Sequence, residues 1–158
     1  MRHLLLSLIC SGALAGQEPA ELWSQGERAR AVEAQRAALI QAEDPVARRQ
    51  LVEWSLAIHQ YRAALNDSRQ LGEGGRALRG RAHYFLGEYE EALVLLEESD
   101  AEASLMRIES LRALGRDWGG ALESAALLLG EEDPRMISLM GALALERGEH
   151  TKAITSFE

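Results

Sequence analysis

The feature that most constrains the fold is a short block that recurs along the chain. In its clearest form the block has a glycine, an aromatic residue and an alanine, carried by Gly87, Tyr89 and Ala92. Apolar residues with helical spacing lie on both sides of Gly87. Glycine commonly follows the end of a helix, because it adopts positive φ without strain. The block therefore predicts two short helices joined by a tight turn.

Further copies of this block lie before and after it. The last 14 residues align without a gap on residues 84–97, so that Gly148 matches Gly87 and His150 matches Tyr89. Three less regular copies place Gly26 and His59 at the turn, and Trp118 at the aromatic position with one extra turn residue. The equivalent alanines are Ala31, Ala64, Ala92, Ala121 and Ala153, at spacings of 33, 28, 29 and 32 residues. A unit repeated at this period predicts an array of helical hairpins, whereas an ordinary bundle would explain only one copy.

The block resembles the tetratricopeptide repeat, a helix–turn–helix unit of about 34 residues. The matching residues are Gly80, Ala82, Gly87, Tyr89 and Ala92, with Leu96 in place of the usual aromatic residue. The resemblance covers about residues 21–158. It implies an all-α fold, in which antiparallel helix pairs stack into a right-handed superhelix.

The N-terminal segment has the layout of a bacterial secretory signal peptide. Arg2 and His3 precede an apolar run from Leu4 to Cys10, and an A-x-A site ends at Ala15. The pattern predicts cleavage after Ala15 and a mature protein in the periplasm or outside the cell. A terminal helix packed on the repeats and lipidation at Cys10 are the alternatives.

The remaining chain is predicted to be one helical repeat domain over residues 16–158. It divides into a half repeat at about 18–43 and repeats at about 45–72, 74–99, 100–130 and 134–158, of which the last is incomplete. A continuous helix is expected from Ala20 to Ala42, and the glycines at 72, 74 and 75 are expected to form a loop. The last helix stops early and leaves Ile154 and Phe157 uncovered, which predicts a longer protein or a contact there, including self-association.

No pattern in the sequence predicts catalysis. His59, His83 and His150 do not have metal-ligand spacing, and the glycine-rich segment at 72–75 lacks the G-K-[ST] of a phosphate loop. The only cysteine, Cys10, lies in the predicted signal peptide. The sequence therefore predicts a protein that is not an enzyme and has no metal and no cofactor. The net charge of −8 argues against nucleic acid as a partner, and no membrane span is predicted.

The resemblance to tetratricopeptide arrays implies a binding surface. In that family the first helices of successive repeats line a concave face, which would carry here Arg49, Glu53, Arg81, Tyr84, Met106 and Arg135, beside Ala77, Ser110, Ser138 and Ala142. An uneven register could shift Met106 and Ser110 by one residue.

Arginine and tyrosine suit peptide recognition, so the predicted partner is a peptide or protein that offers Arg81 a carboxylate and Tyr84 an apolar group. The predicted function is a non-enzymatic scaffold for protein–protein interaction. The alternative is an accessory N-terminal repeat domain of a longer envelope enzyme or sensor.

Overall fold

The structure, a computed structural model, describes residues 17–96 and 100–157, with Phe157 by its backbone alone. These residues form ten α-helices and one 3-10 helix and contain no β-strand, which confirms the predicted all-α class. The predicted signal peptide at 1–15 lies outside the described residues. The helices are α1 (Pro19–Ser24), α2 (Arg28–Gln41), α3 (Pro45–Ala57), α4 (Tyr61–Arg69), α5 (Arg76–Phe85), α6 (Tyr89–Leu95), α7 (Ala101–Ala113), α8 (Gly119–Leu129), α9 (Pro134–Glu146) and α10 (His150–Phe157).

Five turns between helices share one hydrogen-bond pattern. Each contains a residue with positive φ, whose N–H donates to the carbonyl three residues before it. The next N–H donates to the carbonyl five residues before it, and all ten N···O distances lie between 2.8 and 3.1 Å. This pair of bonds is the Schellman motif, which satisfies the free carbonyls at a helix end. The positive-φ residues are Gly26 (83°), His59 (62°), Gly87 (75°), Gly115 (65°) and Gly148 (74°).

The predicted continuous helix from Ala20 to Ala42 is wrong. The turn at Gly26 divides this segment into α1 and α2, which pack on each other. The residues around Gly26 therefore form a hairpin of the same kind as the later copies. The short α1 is held by Trp23, whose ring stacks on that of Trp54 in α3 at 4.6 Å between centroids.

The second helix of each hairpin buries its fourth residue. Ala31, Ala64, Ala92 and Ala153 occupy this position with at most 1% of their surface exposed. In α8 the position belongs to Leu122 and not to Ala121, so the predicted equivalence of Ala121 is wrong by one residue. The cause is the length of the turn: α8 begins four residues after Gly115, whereas the other second helices begin two residues after the turn residue.

Aspartate begins three of the first helices. The side chains of Asp44, Asp100 and Asp133 each accept the backbone N–H two residues later, at 2.9, 3.1 and 2.9 Å. This is the usual N-cap geometry, and proline follows Asp44 and Asp133 at the first helical position. Before α5, the segment Gly72–Gly75 forms a 3-10 helix where a loop was predicted.

The helices pack in sequence order. Each helix contacts the one that follows it, and α3 also contacts α5, which in turn contacts α7. Most of the described core residues fall into four clusters, each drawn from three consecutive helices: α1–α3, α3–α5, α5–α7 and α7–α9. Because α5 packs against both α3 and α7, these three first helices lie side by side and form one surface.

Candidate functional site

A shallow cleft runs across the three neighbouring first helices. It has a volume of about 200 Å³ and combines apolar and charged side chains. We call this cleft the groove, and it is lined by Glu53, Leu56, Ala57, Arg81, Phe85 and Glu102. Glu53 and Arg81 were predicted for this surface from the sequence, and the structure brings them to the same cleft.

Arg81 bridges two helices within the groove. Its Nη2 lies 2.7 Å from Oδ2 of Asp100 and 2.9 Å from Oε2 of Glu102, at the start of α7. The Arg81 side chain is 27% exposed. Because its guanidinium already faces two carboxylates, Arg81 does not offer a free positive charge to a partner. The geometry assigns it instead to the contact between α5 and α7.

Tyr84 makes a second link between the same two helices. Its hydroxyl donates a hydrogen bond to the carboxylate of Glu109 in α7. Burial raises the pKa of the Tyr84 phenol well above its usual range, and the hydrogen bond and negative charge of Glu109 raise it further. The phenol is therefore neutral over the physiological pH range and remains a donor.

Phe85 is an exposed aromatic residue of the groove. Its ring stacks on Tyr61 at 4.9 Å and 12°, and the ring of Tyr84 meets it at 5.2 Å and 69°. These contacts hold the ring in place, yet 42% of the residue stays exposed. An exposed ring with a fixed position loses little conformational entropy on binding, so Phe85 is suited to contact with a partner.

Met106 does not lie on the surface predicted for it. It is 7% exposed and packs with Ala92, Leu96 and Ala103 in the core between α6 and α7. The neighbouring prediction for Ser110 is also wrong, since this residue is fully buried and its hydroxyl donates to the carbonyl of Met106 at 2.7 Å.

The register of α7 explains both errors. Glu102 lines the groove and Glu109 meets Tyr84, seven residues apart on one face of the helix. The outward-facing residue next to Ser110 is thus Glu109, one residue earlier. The one-residue shift that the sequence left open therefore puts the carboxylate of Glu109 where Ser110 was expected.

The two remaining predicted arginines lie outside the groove lining. Arg49 is exposed, and its Nη2 donates to the carbonyl of Gly74 at 2.6 Å, beside the start of α5. Arg135 lies at the start of α9, where its Nε and Nη2 donate to the two carboxylate oxygens of Asp133 at 2.9 and 2.7 Å. The hydrogen bonds from Arg135 lower the pKa of Asp133 to about 2.

Four groove residues were missed by sequence reasoning. Phe85 lies one helical turn after Arg81, and Leu56 and Ala57 lie one turn after Glu53, so helical periodicity around the predicted residues could have found them. Glu102 could not be found in that way, because its placement depends on the register of α7 against α5.

Outside the groove, the described residues offer little for other kinds of site. They contain no group of three or more His, Cys, Asp or Glu side chains that could hold a metal ion. Among the same residues no helix is long and apolar enough to cross a membrane. Leu145 and Ile154 in the last hairpin are 50% and 59% exposed. Self-association through that end stays a prediction.

Comparison with known proteins finds no family model that matches this chain and no curated protein with significant similarity to it.

Proposed function

We propose that this chain is a tetratricopeptide-like scaffold that binds a protein or peptide segment in its groove. The hairpins would stack into a right-handed superhelix with the first helices on the inner, concave side. Five identical turns and a core divided among successive groups of three helices support this arrangement. In repeat arrays each unit contacts only its neighbours, which is the pattern expected from such a core.

The observation that carries the proposal is the groove itself. Three helices from three successive hairpins contribute to one cleft, and the cleft holds an exposed aromatic ring beside aliphatic and charged side chains. Binding surfaces for peptides commonly combine a rigid apolar anchor with charged groups that set orientation. On this proposal the contact residues are Glu53, Leu56, Phe85 and Glu102. Arg81 and Tyr84 then position α5 against α7.

We also propose that the protein works outside the bacterial cytoplasm. The charged start, the apolar run and the A-x-A site before Gly16 support export. The intact mass of the protein isolated from the native envelope fraction tests this. We expect a mass that lacks residues 1–15, and a mass that retains them would contradict export.

Capture of partners from an envelope extract tests the groove. The mature chain is immobilised, and the retained proteins are identified by mass spectrometry. The groove variant carries Glu53→Ala and Phe85→Ala. The matched control carries Glu123→Ala and Leu127→Ala in α8, which also removes one carboxylate and one exposed apolar side chain.

We expect the groove variant to lose the partners and the control to keep them, with unchanged helical circular dichroism in both. Equal retention by both variants would show that the groove is not the binding surface. Variants of Arg81 and Tyr84 would not test the surface alone, because loss of either side chain would also loosen the contact between α5 and α7.

A further inference from the structure

We infer that the groove accepts an arginine side chain of the partner segment, seated against Phe85 and between the carboxylates of Glu53 and Glu102. This inference rests on the proposed function of the groove. It replaces the expectation, drawn from the sequence, that the partner offers a carboxylate to Arg81.

The charges that face the groove favour a cation. Among the described residues that line it, Arg81 carries the guanidinium, and this group is paired with Asp100 and Glu102. Glu53 has no ion pair within the described ranges and is exposed. Two helical turns further along the same face of α7, Glu109 adds another carboxylate. A partner carboxylate would meet repulsion here, whereas a cation would be attracted.

Accessible carboxylate oxygens are present on two sides of the cleft. Glu102 uses Oε2 for Arg81, and its side chain is still 57% exposed. Glu53 stands on α3 and Glu102 on α7, with α5 between them. A guanidinium can donate to two acceptors through its fork of N–H groups, whereas an ammonium group acts as a single point charge.

The apolar part of the groove favours arginine over lysine. The exposed ring of Phe85 lies in the cleft, and Leu56 and Ala57 line the wall beside it. A flat, weakly hydrated guanidinium stacks on an aromatic face more readily than a compact ammonium does. The methylene groups of an arginine can cover the aliphatic wall at the same time.

Nuclear magnetic resonance titration of the complete, ¹⁵N-labelled chain tests the inference. The probes are three capped pentapeptides that differ only in a central residue flanked by leucines: arginine, its neutral isostere citrulline, and glutamate. We expect the arginine peptide to shift amides of α3, α5 and α7 around Glu53, Phe85 and Glu102. Loss of the charge in the citrulline peptide should weaken binding roughly tenfold.

Charge-neutralising variants supply the matched control. The double variant Glu53→Gln, Glu102→Gln should bind the arginine peptide with roughly tenfold lower affinity. Glu123→Gln with Glu131→Gln makes the same change in net charge at the apolar cleft between α8 and α9, and it should leave the affinity within about twofold.

The possible results separate the inference from the proposed function. Binding of the glutamate or citrulline peptide in the groove as tightly as the arginine peptide would overturn the inference and leave the groove as a binding surface. An equal loss of affinity in the two variant pairs would show that only the overall charge matters, and would also overturn the inference. If no peptide shifts the groove amides, the inference fails, whereas the proposed function fails only if the Glu53→Ala, Phe85→Ala variant also keeps the captured partners.

Discussion

The backbone nitrogen of Leu96 comes so close to α5 that a Cβ atom added to Gly80 would lie 3.1 Å from it, and 3.0 Å from Leu96 Cδ2. The two helices of the central hairpin therefore meet at a position without a side chain.

Gly80→Ala should destabilise the protein relative to a matched glycine substitution. Gly120, near the start of α8, has no atom within 4 Å of its Cβ position. Alanine favours a helix over glycine at both sites by about 1 kcal/mol, but only at Gly80 does it overpack a contact, which costs about 1–3 kcal/mol. Urea unfolding should show that difference between the two variants. Equal stability of both would mean that the contact at Leu96 adjusts freely.

The fourth residue of each second helix provides a test of register. Leu122 is only 5% exposed, so Leu122→Ala leaves a cavity in the core. This variant should lower the free energy of unfolding by about 2–5 kcal/mol. Ala92→Leu should cost about 1–3 kcal/mol by overpacking. Leu127→Ala is the control at 89% exposure and should stay within about 0.5 kcal/mol of the parent. If Leu127→Ala lowered the free energy of unfolding as much as Leu122→Ala does, the placement of α8 would be contradicted.

Among the described residues, His59 is the non-glycine residue that has a positive φ angle. The left-handed conformation costs an L-residue about 1–2 kcal/mol, so Gly87→Ala should destabilise by about that amount, with no steric contact to the new Cβ. His59→Gly should keep or raise the stability, since relief of strain offsets the lost contact between His59 Nδ1 and the Tyr61 hydroxyl. Thermal unfolding of both variants is the measurement. A marked loss of stability in His59→Gly would contradict this reading of the turn.

Ser55 and Ser110 are both fully buried but differ in hydrogen bonding. Ser110 donates to the carbonyl of Met106, whereas the hydroxyl of Ser55 has no partner among the described residues. Ser110→Ala should therefore cost about 1 kcal/mol, while Ser55→Ala should be neutral or stabilising. Chemical denaturation of the two single variants gives the comparison. A clear loss of stability in Ser55→Ala would indicate that this hydroxyl has a hydrogen-bond partner.

Asp133 should make a contribution to stability that depends on pH. The hydrogen bonds from the Arg135 side chain and then from its backbone N–H lower the pKa of Asp133 from 3.8 to about 2. A carboxyl with a lowered pKa stabilises the folded state above its unfolded pKa, and this effect is lost as the pH falls toward 2. Asp133→Asn should thus be less stable than the parent at pH 7, with a difference that shrinks below pH 4.

The titration of Asp133 itself can be followed by nuclear magnetic resonance of its side-chain carbon. Arg135→Gln should move the pKa of Asp133 back toward its usual value, while the backbone hydrogen bond at 2.9 Å keeps it below that value. An unchanged pKa in this variant would show that the guanidinium of Arg135 is not the main cause.

The local features of this fold could be predicted from the sequence. The turns at Gly87 and Gly148, and the helix starts at Asp44 and Asp100, depend on hydrogen bonds between residues at most five positions apart. Residue type favours such features, because glycine tolerates positive φ and aspartate accepts a free N–H at a helix start.

The relations between helices were decided only by the tertiary structure. Two extra residues in the turn before α8 put Leu122 in place of Ala121. The packing of α7 on α6 buried Met106, and the contact of α7 with α5 turned Glu102 toward Arg81. A shift of one residue rotates a helical side chain by about 100°, which moves it between core and surface. The sequence by itself therefore determined the turns at Gly87 and Gly148 and the helix starts at Asp44 and Asp100, whereas packing across helices decided which charges the groove presents.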